Sequence, residues 1–251
     1  MIHALKIWIA KGLCAAWIGR LVSWIYADQI PFHGTRIFTH DPQMKSKTKA
    51  MLFWKMYESS ELRFVKKYID SSYDVIELGG SIGAVSIQIG KKINGRKLIS
   101  VEANPSLLKI QRNNLVANGI INFKQINAAY GSEKKPVWFA SGVENTLGKI
   151  SEEGIGNGFF VETISLSSII KAYDLSDYVL VCDIEGAEID LLLHEKEALR
   201  RCKLMVIETH DTIDQNRHYS PEEMKTMLLQ MGFEWIDQHG VNLVMRNTQN
   251  N

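Results

Sequence analysis

Val75-Ile76-Glu77-Leu78-Gly79-Gly80-Ser81-Ile82-Gly83 is the stretch from which the fold can be read. Asp74 to Leu78 is short, mostly apolar and followed by glycines, the pattern of a buried strand. Ile82, Val85, Ile89 and Ile93 then fall three or four apart, the spacing of one helical face. A strand therefore enters a tight turn and leaves as a helix. Glycine tolerates positive φ at such a turn and keeps side chains off the backbone. The helix N-terminus behind it offers free N–H groups and a partial positive charge. The same turn also occurs as a bare connection, so other positions must decide whether it cradles a nucleotide-type cofactor.

Glycine spacing narrows the cofactor. The dinucleotide pattern G-x-G-x-x-G fails from Gly79, where its later places fall on Ser81 and Ala84, and from Gly80, where they fall on Ile82 and Val85. Acidic-x-Gly-x-x-x-Gly fits, from Glu77 through Gly79 to Gly83. That pattern resembles the first motif of class I S-adenosylmethionine (SAM) methyltransferases. SAM presents a charged amino-acid tail and a ribose.

Downstream, the chain alternates. Lys97 to Glu102 reads as a second strand ending in an acid, and Asn104-Pro105 as an N-cap with proline at N1. Glu102 stands about 25 positions after Glu77, near the place of a ribose-binding acid in such units. A carboxylate suits that task because its two oxygens can accept from both ribose hydroxyls. Asn122 to Ala129 reads as a third strand, and Val137 to Glu162 as a hairpin insertion or substrate-side flap. Leu166 to Tyr173 is a short helix. Tyr178 to Asp183 is a buried strand, followed by Ile184-Glu185-Gly186-Ala187-Glu188 and a helix through about Leu199. Lys203 to Glu208 is another strand, then Thr209-His210-Asp211. Ser220-Pro221-Glu222-Glu223 is a capping box, and Phe233 to Ile236 and Val241 to Met245 close the chain as two strands.

Strands alternating with helices imply a doubly wound α/β fold, a mostly parallel sheet covered on both faces. The last two strands lie too close for a crossover and must pair antiparallel. This is the layout of the seven-stranded class I methyltransferase fold, with extra N-terminal helices. Ligands in open α/β sheets sit beyond the carboxyl ends of the strands, and Glu77, Glu102, Asp183 and Glu208 all lie at such ends.

Three regions are expected: 1–27, 28–70 and a catalytic domain over 71–247. The first is apolar, with Trp8, Trp17 and Trp24 among Lys6, Lys11 and Arg20. Its longest uncharged run, Gly12 to Gly19, is far short of the roughly twenty residues that span a bilayer. Lys11 interrupts the apolar core that a signal peptide would need. The pattern suits a helix lying at a membrane interface, and equally a helix covering the domain or forming a homodimer contact. The region 28–70 reads as a helical lead-in: the run Lys45 to Lys49 as a solvated loop, Leu52 to Ile69 as helical. With 29 basic against 28 acidic residues, composition gives no reason to expect a nucleic-acid partner. Cys14, Cys182 and Cys202 lack metal-ligand spacing, and the last two read as buried thiols of a reducing compartment.

From about Leu52 to Val244 the chain resembles the FkbM-type methyltransferases. The carriers are Tyr57-Glu58, the Glu77–Gly83 motif, Val101-Glu102-Ala103-Asn104-Pro105, Asn127-Ala128-Ala129, Ile207-Glu208-Thr209-His210 and, most specifically, Asp183-Ile184-Glu185-Gly186-Ala187-Glu188. Family members usually begin the first motif with Asp and continue Gly-Ala-Asn. Val181 stands where a lysine commonly precedes the strand-end aspartate. That departure bears on any mechanism needing a cation beside Asp183, and leaves the cofactor cradle untouched.

The resemblance implies SAM-dependent O-methylation of a sugar, glycan or similar small hydroxylated metabolite. It implies SAM binding by Glu77, Gly79, Gly80, Ser81, Gly83, Glu102, Ala103, Asn104, Asn127, Ala128 and Asp183. On the acceptor side stand Tyr57, Glu58, Glu188 and Glu208. A sugar hydroxyl keeps its proton near neutral pH, so a base is needed. Asp183, Glu185 and His210 are the expected catalytic group, with His210 the base because its intrinsic pKa is about 6.5. A divalent cation held by Asp183, Glu208 and Asp211 is a less favoured alternative. The expected location is the cytoplasm, at or near the inner membrane face. Rival readings are a non-catalytic SAM-fold scaffold, or a methyltransferase acting on RNA or protein.

Overall fold

The computed structural model of this 251-residue chain describes residues 12–141, 148–151 and 158–249. It opens with α1 (Ala16–Tyr26), the hairpin β1 (Gln29–Phe32) and β2 (Thr35–Phe38), then α2 (Ser46–Phe53) and α3 (Ser59–Tyr68). The alternating body is β3 (Asp74–Leu78), α4 (Ala84–Lys92), β4 (Leu98–Glu102), α5 (Pro105–Ala117), β5 (Phe123–Asn127) and β6 (Ala129–Tyr130). Next come β7 (Val137–Ser141), β8 (Gly148–Ser151), β9 (Gly158–Val161), β10 (Thr163–Ile164), α6 (Leu166–Tyr173) and β11 (Tyr178–Cys182). The chain continues through α7 (Glu188–His194), α8 (Lys196–Leu199), β12 (Cys202–Glu208), β13 (Thr212–Asp214) and β14 (Arg217–Tyr219). It closes with α9 (Pro221–Gln230), β15 (Phe233–His239) and β16 (Asn242–Asn247).

Seven strands form the main sheet in the order β15-β16-β12-β11-β3-β4-β5. The pairs from β12 to β5 are parallel, and β16 runs antiparallel to both β12 and β15. The strand residues alternate between two cores. Val75, Val179, Val181, Val206 and Val244 face one, with side chains of α3, α4 and α5. Ile76, Leu180, Cys182, Met205 and Met245 face the other, with α6 to α9. This period of two, with helices on both faces, is why these strands read as continuous apolar runs. Two caps agree with the sequence reading: Asn104 Oδ1 accepts from Ser106 N at 3.0 Å, and Ser220 with Glu223 completes the capping box.

Chain order reverses between β3 and β11, the place where a crevice opens beyond the strand ends. The two ends nearly touch. Asp183 N donates to Leu78 O at 2.9 Å, and a Cβ on Gly79 would lie 1.8 Å from Asp183 O. Gly79 also has φ +92°. Only glycine meets both demands, so this glycine is required by strand packing before any ligand is considered.

Several expectations are corrected. The lead-in carries the β1–β2 hairpin as well as helices, and the run Lys45 to Lys49 is no solvated loop. It opens α2, with Thr48 buried and Lys49 Nζ 2.7 Å from Asp28 Oδ1. The single helix expected over Leu52 to Ile69 is two, because Lys55 and Glu58 take positive φ between them. The helix expected through Leu199 is interrupted at Glu195, which caps both pieces. The insertion is a three-stranded antiparallel sheet, β8-β7-β9, rather than a hairpin. The hairpin β13–β14 was not anticipated. Of the N-terminal segment, Lys6, Trp8 and Lys11 lie outside the described residues. In α1, Trp17, Leu21, Trp24 and Ile25 are exposed along one side. No described helix is long and apolar enough to cross a membrane.

Candidate active site

A cavity of about 440 Å³ lies beyond the carboxyl ends of β3, β4, β11 and β12, within the size range of small-molecule sites. One end is built around Glu102. Its Oε2 accepts from Ser81 N at 2.7 Å and its Oε1 from Asn104 N at 2.7 Å. The carboxylate keeps acceptor capacity beyond these bonds, and the residue lines the cavity while only 7% exposed. Burial pushes its carboxyl up, against the backbone hydrogen bonds from Asn104, Ser81 and Ala103. Val101, Ala103, Leu107, Ala128, Ala129 and Phe139 give this end apolar walls. A buried diacceptor beside apolar walls fits a ribose joined to an aromatic base, so the residues present suit SAM. The other end is closed by α2 and α3: Thr48, Met51, Met56, Tyr57, Glu58 and Glu61 all line it. Tyr57 Oη lies 2.9 Å from Ser81 Oγ and ties this lid of helices to the glycine turn.

The block Asp183-Ile184-Glu185-Gly186-Ala187-Glu188 is a tight turn between β11 and α7. Glu185 and Gly186 both have positive φ, +52° and +106°. Glu188 is fully buried and holds the turn from inside. Its Oε1 accepts from Ile184 N at 3.1 Å, its Oε2 from Gly186 N at 2.9 Å, and His210 Nδ1 stands 3.0 Å from Oε1. Since both carboxylate oxygens act as acceptors, His210 is the donor. Its Nε2 then faces Glu185 Oε2 and Glu208 Oε1, each at 3.7 Å, and Asp183 Oδ1 at 4.0 Å.

These contacts place the expected residues in different roles. Asp183, Glu185, Glu208, Tyr57, Glu58, Gly79, Ser81, Glu102, Ala103 and Ala128 line the cavity. Glu77, Gly80, Gly83, Asn104, Asn127, Glu188 and His210 do not. Glu77 is buried behind the turn, where its Oε2 accepts from Ser86 Oγ at 2.6 Å and Ser100 Oγ at 2.5 Å. Gly80 and Gly83 make room for Gln111 of that network. Asn127 Nδ2 donates to the carbonyls of Glu102 and Ala103, at 2.9 and 3.0 Å, and so supports the cavity wall from outside. Asp211 turns away toward His218 Nε2, 3.2 Å off, which removes it from the cation site pictured with Asp183 and Glu208. Asp183, Glu188 and His210 do have ligand-type atoms within 4.8 Å of one another. Both Glu188 oxygens are already held by N–H groups, so this trio works as a hydrogen-bond network.

The electrostatics distinguish the candidate bases. Burial opposes a charged imidazole, but the hydrogen bond and charge of Glu188, with Asp183 and Glu185, outweigh it and push His210 up to about 9. A ring charged at neutral pH, and set behind the cavity wall, is a poor proton acceptor. Asp183 has what a base needs. Burial first, then the charges of Glu208 and Glu185, push it up to about 7, and its Oδ1 is buried without a partner. The cation beside Asp183 that Val181 does not provide is thus supplied by His210. Sequence reading missed Glu61 and Asn242 on the cavity wall. For Glu61 a signal existed, since an acid stands in the apolar stripe that continues through Phe64, Val65 and Tyr68.

A family model described as the methyltransferase FkbM domain matches residues 84–235, well over half of the chain. Among curated proteins, the ribosomal protein L11 methyltransferase of Caldicellulosiruptor saccharolyticus is 32% identical over 75 residues, 30% of this chain and 24% of that protein. The chain thus matches about a quarter of that relative's length. Similar solved structures include a putative tRNA (m1A22) methyltransferase of Streptococcus pneumoniae in complex with S-adenosyl-L-methionine. It is 10% identical with a TM-score of 0.46, over 76% of this chain and 73% of that one. A ribosomal protein L11 methylase of Lactobacillus delbrueckii subsp. bulgaricus is 12% identical with a TM-score of 0.43, over 74% and 76%. The extent of the family match leads to one assignment: the chain belongs to the methyltransferase FkbM domain family.

Proposed function

We propose that the protein is an O-methyltransferase acting on a hydroxyl of a sugar, glycan or similar small hydroxylated metabolite. The observation that carries this reading is Asp183, a cavity-lining carboxylate whose Oδ1 is buried without a hydrogen-bond partner and stands 4.0 Å from His210 Nε2. Glu102 would hold the ribose through both hydroxyls, and Gly79 and Ser81 would line the amino-acid tail. Bound SAM supplies a methyl group already activated as a sulfonium. Asp183 would take the acceptor's hydroxyl proton as that methyl group is transferred. Holding the two partners in near-attack geometry contributes up to ~7–11 kcal/mol in favourable cases, so positioning outweighs the base. His210 acts through Asp183: its charge keeps the carboxylate available and Glu188 keeps its ring in place.

A protein acceptor is the second reading, supported by the 75-residue match to a ribosomal protein L11 methyltransferase. A polyanionic RNA meets a cavity wall carrying Glu58, Glu61, Asp183, Glu185 and Glu208, which opposes it. Peripheral attachment at the inner membrane face belongs to the same proposal. Its support is the exposed side of α1, where Trp17, Leu21, Trp24 and Ile25 recur at helical spacing and Trp24 is 81% exposed. Vesicle flotation should carry the full chain upward and leave a chain without residues 1–27 below. Equal flotation of both would favour a homodimer contact.

Glu102→Ala removes a charged acceptor worth about 1.5–3 kcal/mol, so SAM should bind ~10- to 150-fold more weakly by calorimetry. An unchanged affinity in the folded variant would move the ribose elsewhere. Methyl transfer from labelled SAM to a saccharide panel, read by mass spectrometry, tests the acceptor class. Its kcat/KM should rise with pH as Asp183 loses its proton near 7 and fall as His210 loses its own near 9, the two values belonging to the coupled pair. Asp183→Asn should lower turnover by ~10²–10⁴-fold, and His210→Gln should abolish the falling limb. A rate that climbs through pH 9 without falling would return the base to His210.

A further inference from the structure

The cavity offers hydrogen-bond acceptors for which the described residues supply no donors. Glu61 lines it from α3, is 7% exposed, and accepts no hydrogen bond from any described residue. Asn242 lines it from β16 and is 5% exposed. Its Nδ2 donates to Glu208 Oε2 at 3.1 Å, while its Oδ1 is buried without a partner. Asp183 Oδ1 is in the same condition. Glu58 and Glu208 complete this wall. Burial pushes the Glu61 carboxyl well up, and the charges of Glu58, Asp183, Glu77 and Glu208 push it further. Unpaired buried acceptors beside like charges disfavour folding. An arrangement of this kind reads as a site awaiting a donor-rich, positively charged ligand.

The spacing discriminates between cations. A metal ion needs several ligand atoms closing on one point, at 2.0–2.6 Å for Mg²⁺ and Ca²⁺. Among the described residues, the trio whose ligand atoms lie within 4.8 Å of one another is Asp183, Glu188 and His210, and it omits Glu58, Glu61 and Glu208. Glu58, Glu61 and Glu208 do not form such a trio among the described residues. A protonated amine carries three diverging N–H donors, and hydroxyls on neighbouring carbons reach acceptors farther apart.

We propose that Glu61, with Glu58, Glu208 and Asn242 Oδ1, forms a recognition pocket for a protonated amine on the acceptor, close to the hydroxyl that is methylated. The acceptor is then an amino sugar or a similar amino alcohol. This deepens the methyltransferase reading above and rests on it. SAM brings an ammonium of its own, so the test must separate acceptor from cofactor.

Calorimetry on the full chain loaded with S-adenosylhomocysteine would compare glucosamine, galactosamine and mannosamine, each beside its N-acetyl form, and an oligolysine peptide. At least one amine should bind 10-fold or more tightly than its N-acetyl partner, the range of a hydrogen bond between charged groups. Glu61→Gln should erase that preference while S-adenosylhomocysteine affinity stays within about twofold. Glu208→Gln reads the same preference if Glu61→Gln does not fold. No amine preference in the wild type, or a preference that survives in the folded variant, overturns the proposal. So does a loss of S-adenosylhomocysteine affinity in Glu61→Gln, which would assign Glu61 to the cofactor tail. Tighter binding of oligolysine than of any amino sugar overturns the small-molecule assignment. Failure of the wild type to bind S-adenosylhomocysteine would instead count against the methyltransferase reading itself.

Discussion

The buried carboxylate of Glu188 is the contact on which the site depends. A glutamate without solvent is tolerated only when its oxygens are occupied, and here the N–H groups of Ile184 and Gly186 and the ring of His210 occupy them. Those bonds fold the 183–188 segment into a turn with two residues at positive φ. That turn sets Asp183 at the mouth of the parallel sheet, in backbone contact with the end of β3. Remove the carboxylate and three donors lose their acceptor together. The spacing within Asp183-Ile184-Glu185-Gly186-Ala187-Glu188 follows from this geometry. Glu188 must follow Ile184 by four and Gly186 by two to reach both N–H groups.

The second constraint is electrostatic crowding. Glu58, Glu61, Asp183, Glu185 and Glu208 share one cavity, and the described cation nearest Asp183 is His210, set behind the wall. Burial first, and then the neighbouring charges, raise the Glu61 and Asp183 carboxyls, while the surrounding carboxylates raise the His210 imidazole against its own burial. One network thereby yields an acid that can take a proton near neutral pH and a cation that stays charged. The pair acts as a unit, so neither residue's behaviour can be read from its ordinary pKa. Much of the wall also lies outside the family-matched span of 84–235. Thr48 to Glu61 come from α2, α3 and the connection between them, and Asn242 from the last strand of the chain.

The frame was legible because its signals are local. Period-two apolar strands, the glycine turn, Asn104 and Ser220 as caps, and acids at strand ends can all be read within a few residues. The roles of the site residues were less legible, because they depend on which atoms survive burial unpaired. His210 stood where expected, at the end of the strand beside β11, yet its pKa is set, against its own burial, by three carboxylates of another segment, Glu188, Asp183 and Glu185. Glu77 looked like a cofactor ligand from its motif, but Ser86, Ser100 and Gln111 turn it inward. The helix break at Trp54 to Glu58 left no periodic trace, since apolar spacing resumes on both sides. Glu61 was an acid on an apolar stripe, and only the cavity explains it.

The account stands on His210 being an imidazolium that faces a proton-accepting Asp183. Nitrogen-15 NMR of the histidine rings in the ligand-free protein at pH 8 tests this most directly, with His210 assigned by comparison with His210→Gln. The account predicts that both ring nitrogens of His210 carry protons at that pH, titrating together near 9. A neutral His210 ring with a single protonated nitrogen at pH 8 would contradict it.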